Sequence, residues 1–250
     1  MSKPERIALV TGGGGGVGRA AALALAGDGW TVAVAGRRAE ALEETAALAE
    51  PGRVIALPAD VSDPDSVDRL FAALLARHGR LDLLFNNAGV NVSKAPLDEL
   101  AVEEVRTIVE VNLLGALLCA RAALRAMKAQ SPRGGRIINN GSVSAYAPRP
   151  HSAPYTATKH GMTGLTKSLA LDGRPFGIVC GQIDLGNVAT DMTSYMAVGA
   201  EQADGSVTAE PRMPLGEAGR AVLYMANLPP EANIPFMTLM APGMPLYGRG

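Results

Sequence analysis

Residues 142–159 read SVSAYAPRPHSAPYTATK and hold a hydroxyl, a phenol and an ammonium at spacings that suit proton transfer. The pattern predicts a helix over 153–172, which sets Tyr155 and Lys159 four positions apart on one face. A cation near the phenol oxygen favours the phenolate. A free phenol has a pKa of roughly 10, so bringing it near neutrality takes about 2 to 3 units, or about 3 to 4 kcal/mol. A lysine in a partly dry cleft supplies much of that, and Tyr155 then serves as proton donor and acceptor. The same spacing also fits an ordinary amphipathic helix face, so the surrounding elements must decide.

Those elements alternate between strand and helix. Residues 6–11, RIALVT, form an apolar run that enters TGGGGGVGRAAALALAGDG, a glycine loop opening an alanine-rich helix. Gly12, Gly16 and Gly18 fall at T-G-x-x-x-G-x-G spacing, and the looser G-x-G-x-x-G matches at Gly13, Gly15 and Gly18. Missing side chains let the backbone approach a pyrophosphate at the helix N-terminus. Consecutive glycines also suit a flexible loop, but the strand-loop-helix setting favours a phosphate cradle. The next strand, 31–35, ends before Gly36-Arg37-Arg38, with no acidic residue where a ribose-binding carboxylate is expected. Two guanidinium groups there suit a 2'-phosphate, so NADP is favoured over NAD; solvated arginines opening a helix over 38–49 are the alternative.

A third strand, 53–57, leads to Ala59-Asp60-Val61, where Asp60 is either a partner for an adenine amino group or a loop residue. Asp63 before Pro64 reads as the N-cap of a helix over 64–78. The fourth strand, LDLLFNNAG, ends in Asn86-Asn87-Ala88-Gly89, small and amide-bearing residues that either let the backbone pass close to a ligand or form a plain Asn-Gly-rich turn. A long helix over 102–129 is apolar except at Asn112, which either bends it locally or joins a polar network. The fifth strand, 135–141, delivers Ser142 at its carboxyl end, the edge where ligands sit in open α/β sheets. After the sixth strand, FGIVCGQI, a polar segment runs to about Pro214; its methionines Met192, Met196 and Met213 line a pocket under a lid or pack a surface loop. Asp184 there is a carboxylate that could be placed near a ligand. His151, in the loop before the helix over 153–172, either faces a substrate or is an exposed loop histidine, the second being preferred. A helix over 216–227, a strand over 235–240 and an irregular tail complete the chain.

Composition narrows the partners. A net charge of -1 with 48% hydrophobic and 19% charged residues suits a soluble globular protein rather than a nucleic-acid-binding one, and no polyanionic partner is suggested. Cys119 and Cys180 lie in apolar surroundings without metal-ligand spacing, as reduced buried thiols do. No metal site is expected. The N-terminus lacks a signal-like apolar stretch and no apolar run is expected to span a bilayer. A cytoplasmic protein without membrane contact is the expectation.

Taken together, TGGGGGVG at 11–18, NNAG at 86–89, Asn112, Ser142, and YTATK at 155–159 resemble the short-chain dehydrogenase/reductase family over nearly the whole chain. The resemblance implies one α/β domain over 1–250, a three-layer Rossmann-type doubly wound fold with a seven-stranded parallel sheet, assembled as a homotetramer or homodimer. It implies an NADP-dependent oxidoreductase that interconverts a ketone or aldehyde and an alcohol by hydride transfer. In this scheme Tyr155 donates or accepts the proton, and Ser142 holds the reacting oxygen. Lys159 lowers the Tyr155 pKa and binds the nicotinamide ribose, and Asn112 positions a water linking Lys159 to solvent. The implied cofactor contacts are Gly12, Gly14, Gly16, Val17, Gly18, Arg37, Arg38, Asp60, Val61, Asn87, Ala88, Gly89, Tyr155, Lys159, Val188 and Thr190. The same chemistry with NAD is one alternative, and a catalytically silent nucleotide-binding regulator of the same fold is another. Two features depart from the family pattern: Leu185 stands where Pro-Gly is usual, with Gly186 and Thr190 kept, and the C-terminal LPPEANIPFMTLMAP is similar to NADP-linked reductases of 3-hydroxy acids and serine-like substrates.

Overall fold

The computed structural model describes residues 5–91 and 93–246. The start of the N-terminal reading, MSKP, and the last four residues of the tail, YGRG, lie outside the described residues. Seven parallel strands form the central sheet in the order β3-β2-β1-β4-β5-β6-β9. They are β1 Ile7–Thr11, β2 Thr31–Gly36, β3 Val54–Pro58, β4 Leu83–Asn86, β5 Gly135–Asn140, β6 Ile178–Leu185 and β9 Phe236–Leu239. Between β6 and β9, β7 Ala200–Glu201 and β8 Val207–Thr208 pair as a separate antiparallel hairpin. The inner strands are apolar without alternation because helices cover both faces; every residue of β1 is buried.

Helices α1 Gly16–Gly27, α2 Ala39–Ala47 and α7 Leu215–Ala226 lie on one face. Helices α3 Pro64–His78, α4 Val102–Val109, α5 Gly115–Ala129 and α6 Ala153–Gly173 lie on the other, giving three layers around two apolar clusters. Local chemistry sets their ends. In α3, Asp63 accepts from Asp65 N, Pro64 takes the first turn and Gly79 closes the helix with φ 71. Cys119 and Cys180 are buried free thiols, and desolvation pushes both up to about 12.

The predicted helix over 102–129 is not uniform. Residues Glu110–Leu114 form a π turn between α4 and α5, with Gly115 N bonded to Glu110 O. Asn112 sits in that turn, its amide turned onto the main chain of Val90, so the bending and the polar-network readings both hold. The whole segment Val102–Ala129 is long and apolar enough to cross a bilayer by composition, contrary to the expectation that no run is. Its apolar character has a local reason: Ile108, Val111, Cys119, Ala123 and Met127 are buried in the packing against the sheet and neighbouring helices. The described part of the tail is irregular, as expected, and Ala241 and Met244 enter the core.

Candidate active site

Between β1 and β4 the strand order reverses, and a crevice opens at their carboxyl ends. Thr11 ties the two ends together. Its hydroxyl accepts from Asn87 N and Ala88 N, each at 2.9 Å, while Asn87 Nδ2 donates to Thr11 O at 2.8 Å. Gly12 has φ 68, and a Cβ there would stand 2.9 Å from Asn87 Nδ2. At Gly18 a Cβ would stand 2.2 Å from Gly12 O, so only glycine lets α1 pass this close to the loop. Gly18 therefore supports the cradle from behind and does not line the cleft, unlike Gly12, Gly14, Gly16 and Val17. Thr45 Oγ1 donates to Gly13 O at 2.9 Å and Arg19 Nη2 to Gly14 O at 2.8 Å, fixing the loop carbonyls away from the cleft's occupant. No side chain caps α1, which leaves its first-turn N–H groups for an anion.

The cleft has a volume of about 490 Å³, within the usual range for small-molecule sites. Arg37, Arg38, Asp60 and Val61 line one end, and Asn87, Ala88, Gly89, Tyr155, Lys159 and Thr190 the other. A side-chain-free loop at a helix start, two arginines and this volume fit a dinucleotide. Asp60 is only partly available to it: Oδ1 accepts from Ser62 N at 2.9 Å and Ser62 Oγ at 2.6 Å. The Ser62 hydroxyl holds the carboxyl below its ordinary range, against burial, with the Ser62 main chain and the Arg37 charge adding to it.

At the far end, α6 places Tyr155 and Lys159 on one face, as their spacing predicts. Ser142 follows β5, its Oγ accepting from Ser144 N at 3.1 Å, and its hydroxyl lies near enough to the Tyr155 phenol to favour the phenolate. Lys159 is buried and donates to Asn140 O at 2.7 Å, its Nζ lying 5.5 Å from the Tyr155 ring centroid. The electrostatics depart from the expected lowering of the phenol by the lysine. Burial pushes Tyr155 above its ordinary value, opposed by the Ser142 hydroxyl, and the Tyr195 charge adds to the rise. Lys159 is itself desolvated, which brings it down to about 8 against the pull of Asp184. The ammonium is spent on a main-chain carbonyl rather than on the phenol oxygen.

The Asn112 side chain has a structural part of its own. Its Oδ1 accepts from Val90 N at 2.8 Å and its Nδ2 donates to Val90 O at 2.9 Å, so the side chain braces the loop after β4. Asp184 lines neither this cleft nor the smaller cavity beside it; it is fully buried, with Oδ1 accepting from Ser142 N. Leu185 simply extends β6 by one residue, in register with Leu239.

A second cavity of about 160 Å³ opens above Ser142 and shares Tyr155, Asn140, Thr190 and Met192 with the first. Val143, Leu185, Val188, Tyr195 and Met196 give it apolar walls. Met192 and Met196 thus line a pocket, whereas Met213 is core. Val188 belongs to this cavity and not to the larger cleft. His151 also lines it, with φ 56 and Nε2 3.4 Å from Glu201 of the hairpin, so it is not a free loop residue. The outer wall is Arg149, bidentate to buried Glu210 at 2.6 and 2.5 Å and bonded to Asn187 at 3.1 Å.

Three residues of this region escape a reading of the sequence: Asn140, Arg149 and Glu210. Asn140 had a signal, since a second amide at the end of a buried strand needs a partner. Its Nδ2 donates to Asn87 Oδ1 at 2.9 Å, and its Oδ1 is the buried side-chain atom without a partner among the described residues. Arg149 and Glu210 carry no local signal, because they meet only when distant segments fold together.

The comparisons agree with this geometry. The family model described as short chain dehydrogenase matches residues 6–199. Cis-4-hydroxycyclohexanecarboxylate dehydrogenase of Sinomonas cyclohexanicum is 37% identical, over 89% of this chain and 90% of its own. A 3beta-hydroxysteroid dehydrogenase of Mediterraneibacter gnavus is 33% identical, over 84% of this chain and 76% of its own. The solved structure of an actinorhodin polyketide ketoreductase with NADPH superimposes with a TM-score of 0.85 at 28% identity, covering 96% of this chain and 97% of that one. With the switch-point cleft and the Tyr155–Lys159 helix at its end, these matches make the chain a member of the short chain dehydrogenase family, an oxidoreductase of hydroxyl and keto groups that uses a nicotinamide dinucleotide.

Proposed function

We propose that this enzyme interconverts a small ketone or aldehyde and its alcohol with NADP(H), and that Tyr155 moves the proton. The observation that carries the reading is that Tyr155 lines both cavities, at the junction of the dinucleotide-sized cleft and the smaller apolar pocket. When bound, the nicotinamide supplies or takes the hydride. Tyr155, kept protonated by desolvation, donates its proton to the carbonyl oxygen in reduction and takes it back in oxidation. Ser142 holds that oxygen and orients the phenol. Lys159 holds the ribose side of the cleft from its seat on Asn140 O. Asn112 acts by fixing the Val90 loop. The apolar walls and Met192 keep water from the reacting atoms.

NADP is preferred in this reading because Arg37 and Arg38 line the end of the cleft, where a 2'-phosphate finds two guanidinium groups. The whole chain is read as one domain, acting in the reducing cytoplasm where Cys119 and Cys180 stay as thiols. Assembly into a homodimer or homotetramer through the long helices fits the exposed Val109, Leu114 and Leu117 of that layer, and sedimentation of the purified protein reads it directly. The central test is Tyr155→Phe assayed with NADPH and NADH against varied ketones and aldehydes. Turnover should fall by roughly 100- to 10,000-fold with NADPH binding retained. Parental turnover in the variant would remove Tyr155 from the mechanism.

A further inference from the structure

Beneath Ser142 lies a carboxylate that the proton transfer outlined above leaves unused. Asp184 on β6 is fully buried. Its Oδ1 accepts from Ser142 N at 2.9 Å and from Gln182 Nε2 at 2.7 Å, and its Oδ2 accepts from the Tyr146 hydroxyl. Gly141 makes room for it: a Cβ there would stand 1.9 Å from Asp184 Oδ1 and 2.6 Å from Gln182 Nε2. Gln182 is held in turn, its Oε1 accepting from Thr166 Oγ1 at 2.9 Å. A buried carboxylate is costly unless it is paired or well hydrogen-bonded; here Oδ1 is held by the Ser142 main chain and by the Gln182–Thr166 chain, and Oδ2 by the Tyr146 hydroxyl.

The same carboxylate bears on Lys159. Lys159 Nζ holds Asn140 O at 2.7 Å and Asp184 Oδ1 holds Ser142 N at 2.9 Å, so ammonium and carboxylate grip the same strand end two residues apart, with the Tyr155 ring 5.5 Å from the ammonium. Glu103, Arg106, Glu110, Arg121, Arg125 and Lys128 of α4, the π turn and α5 are exposed, and Glu104 is bonded to Ser93. On β5, Arg136 is bonded to Asn233 at the opposite end of the strand. Asp184 is the charge that opposes the desolvation of Lys159.

We propose that Asp184 is a positioning residue for the reaction: it anchors the main chain of Ser142 so that the hydroxyl meets Tyr155, and it is the counter-charge that keeps Lys159 an ammonium. The inference rests on the roles proposed above for Ser142, Tyr155 and Lys159. A buried carboxylate at this place gives the site its working pH range as well as its geometry.

The experiment is a titration of Lys159, which lines the open cleft, by brief acylation of the full-length chain between pH 6 and 10 with peptide mass spectrometry. It is run on the parent and on Asp184→Asn, which keeps the shape and removes the charge. The parent midpoint should lie near pH 8, and the variant midpoint about one unit lower. The alkaline limb of NADPH-dependent ketone reduction should move by the same amount. Equal midpoints in parent and variant, with both chains folded by circular dichroism, would overturn the proposal. If Asp184→Asn does not fold, Asp184→Ser leaves a hydroxyl for Ser142 N and carries the same expectation. A parent without turnover on any carbonyl would sink the proposed function, whereas the acylation midpoints would still report the coupling of Asp184 to Lys159.

Discussion

Replacing Glu210 by Gln isolates the buried pair that walls the smaller pocket. The Glu210 side chain is 1% exposed and its partner Arg149 12% exposed. Burial alone would raise the carboxyl, but the hydrogen bonds from Arg149, Gln202 and Asn187 and the Arg149 charge outweigh it and hold the group at about 2, against an ordinary 4.5. A folded value below the unfolded one means the contribution is fully present above about pH 4.5 and is lost as pH falls through about 2. The difference of about 2.5 units corresponds to roughly 3 kcal/mol at neutral pH, of which about 2 is gone by pH 3. Removing one partner of a buried pair costs a similar roughly 3 to 5 kcal/mol. Urea unfolding of parent and Glu210→Gln at pH 7, 5, 4 and 3 measures the difference directly, since the other carboxylates titrate equally in both. The gap between the two should be about 3 kcal/mol at pH 7 and narrow to about 1 at pH 3. A gap that stays constant with pH would show that the pair has no titrating charge, and the pocket wall would need another explanation.

Two further substitutions test the cleft. Gly18→Ala forces a Cβ to 2.2 Å from the Gly12 carbonyl; it should cost about 1 to 3 kcal/mol in urea unfolding and abolish NADPH binding measured by nicotinamide fluorescence, and parental values for both would clear Gly18 of a packing role. Arg37→Asp should weaken NADPH roughly 10- to 100-fold while leaving NADH within about twofold; equal losses for both cofactors would assign the arginine to general electrostatics rather than to a 2'-phosphate.

Much of the architecture is legible in order along the chain because its signals are local. Asp63-Pro64 and Gly79 mark both ends of α3 through capping bonds that a few neighbouring residues decide. The strand-glycine-helix passage at 7–27 reads correctly because the missing side chains act on the adjacent backbone. The break at Asn112 was visible as a polar residue on an apolar face, but not as a π turn, since its partner Val90 lies on the loop after β4. The sequence does not decide between the two readings of His151 for the same reason: Glu201, fifty positions away, holds it at the smaller cavity.

The proton-handling pair shows where the division falls. Tyr155 and Lys159 share a face because helical spacing puts residues four apart side by side, and the motif order places them at the carboxyl edge of a parallel sheet; both follow from the sequence alone. Whether the lysine lowers the phenol depends on which groups lose water and which acceptors claim the ammonium. Only the folded chain decides that, by bringing Asn140 O to 2.7 Å from Lys159 Nζ, Ser142 onto Tyr155 and Asp184 beneath both. Desolvation and charge pairing are set by neighbours distant in sequence, so the charge states of this site belong to the tertiary structure.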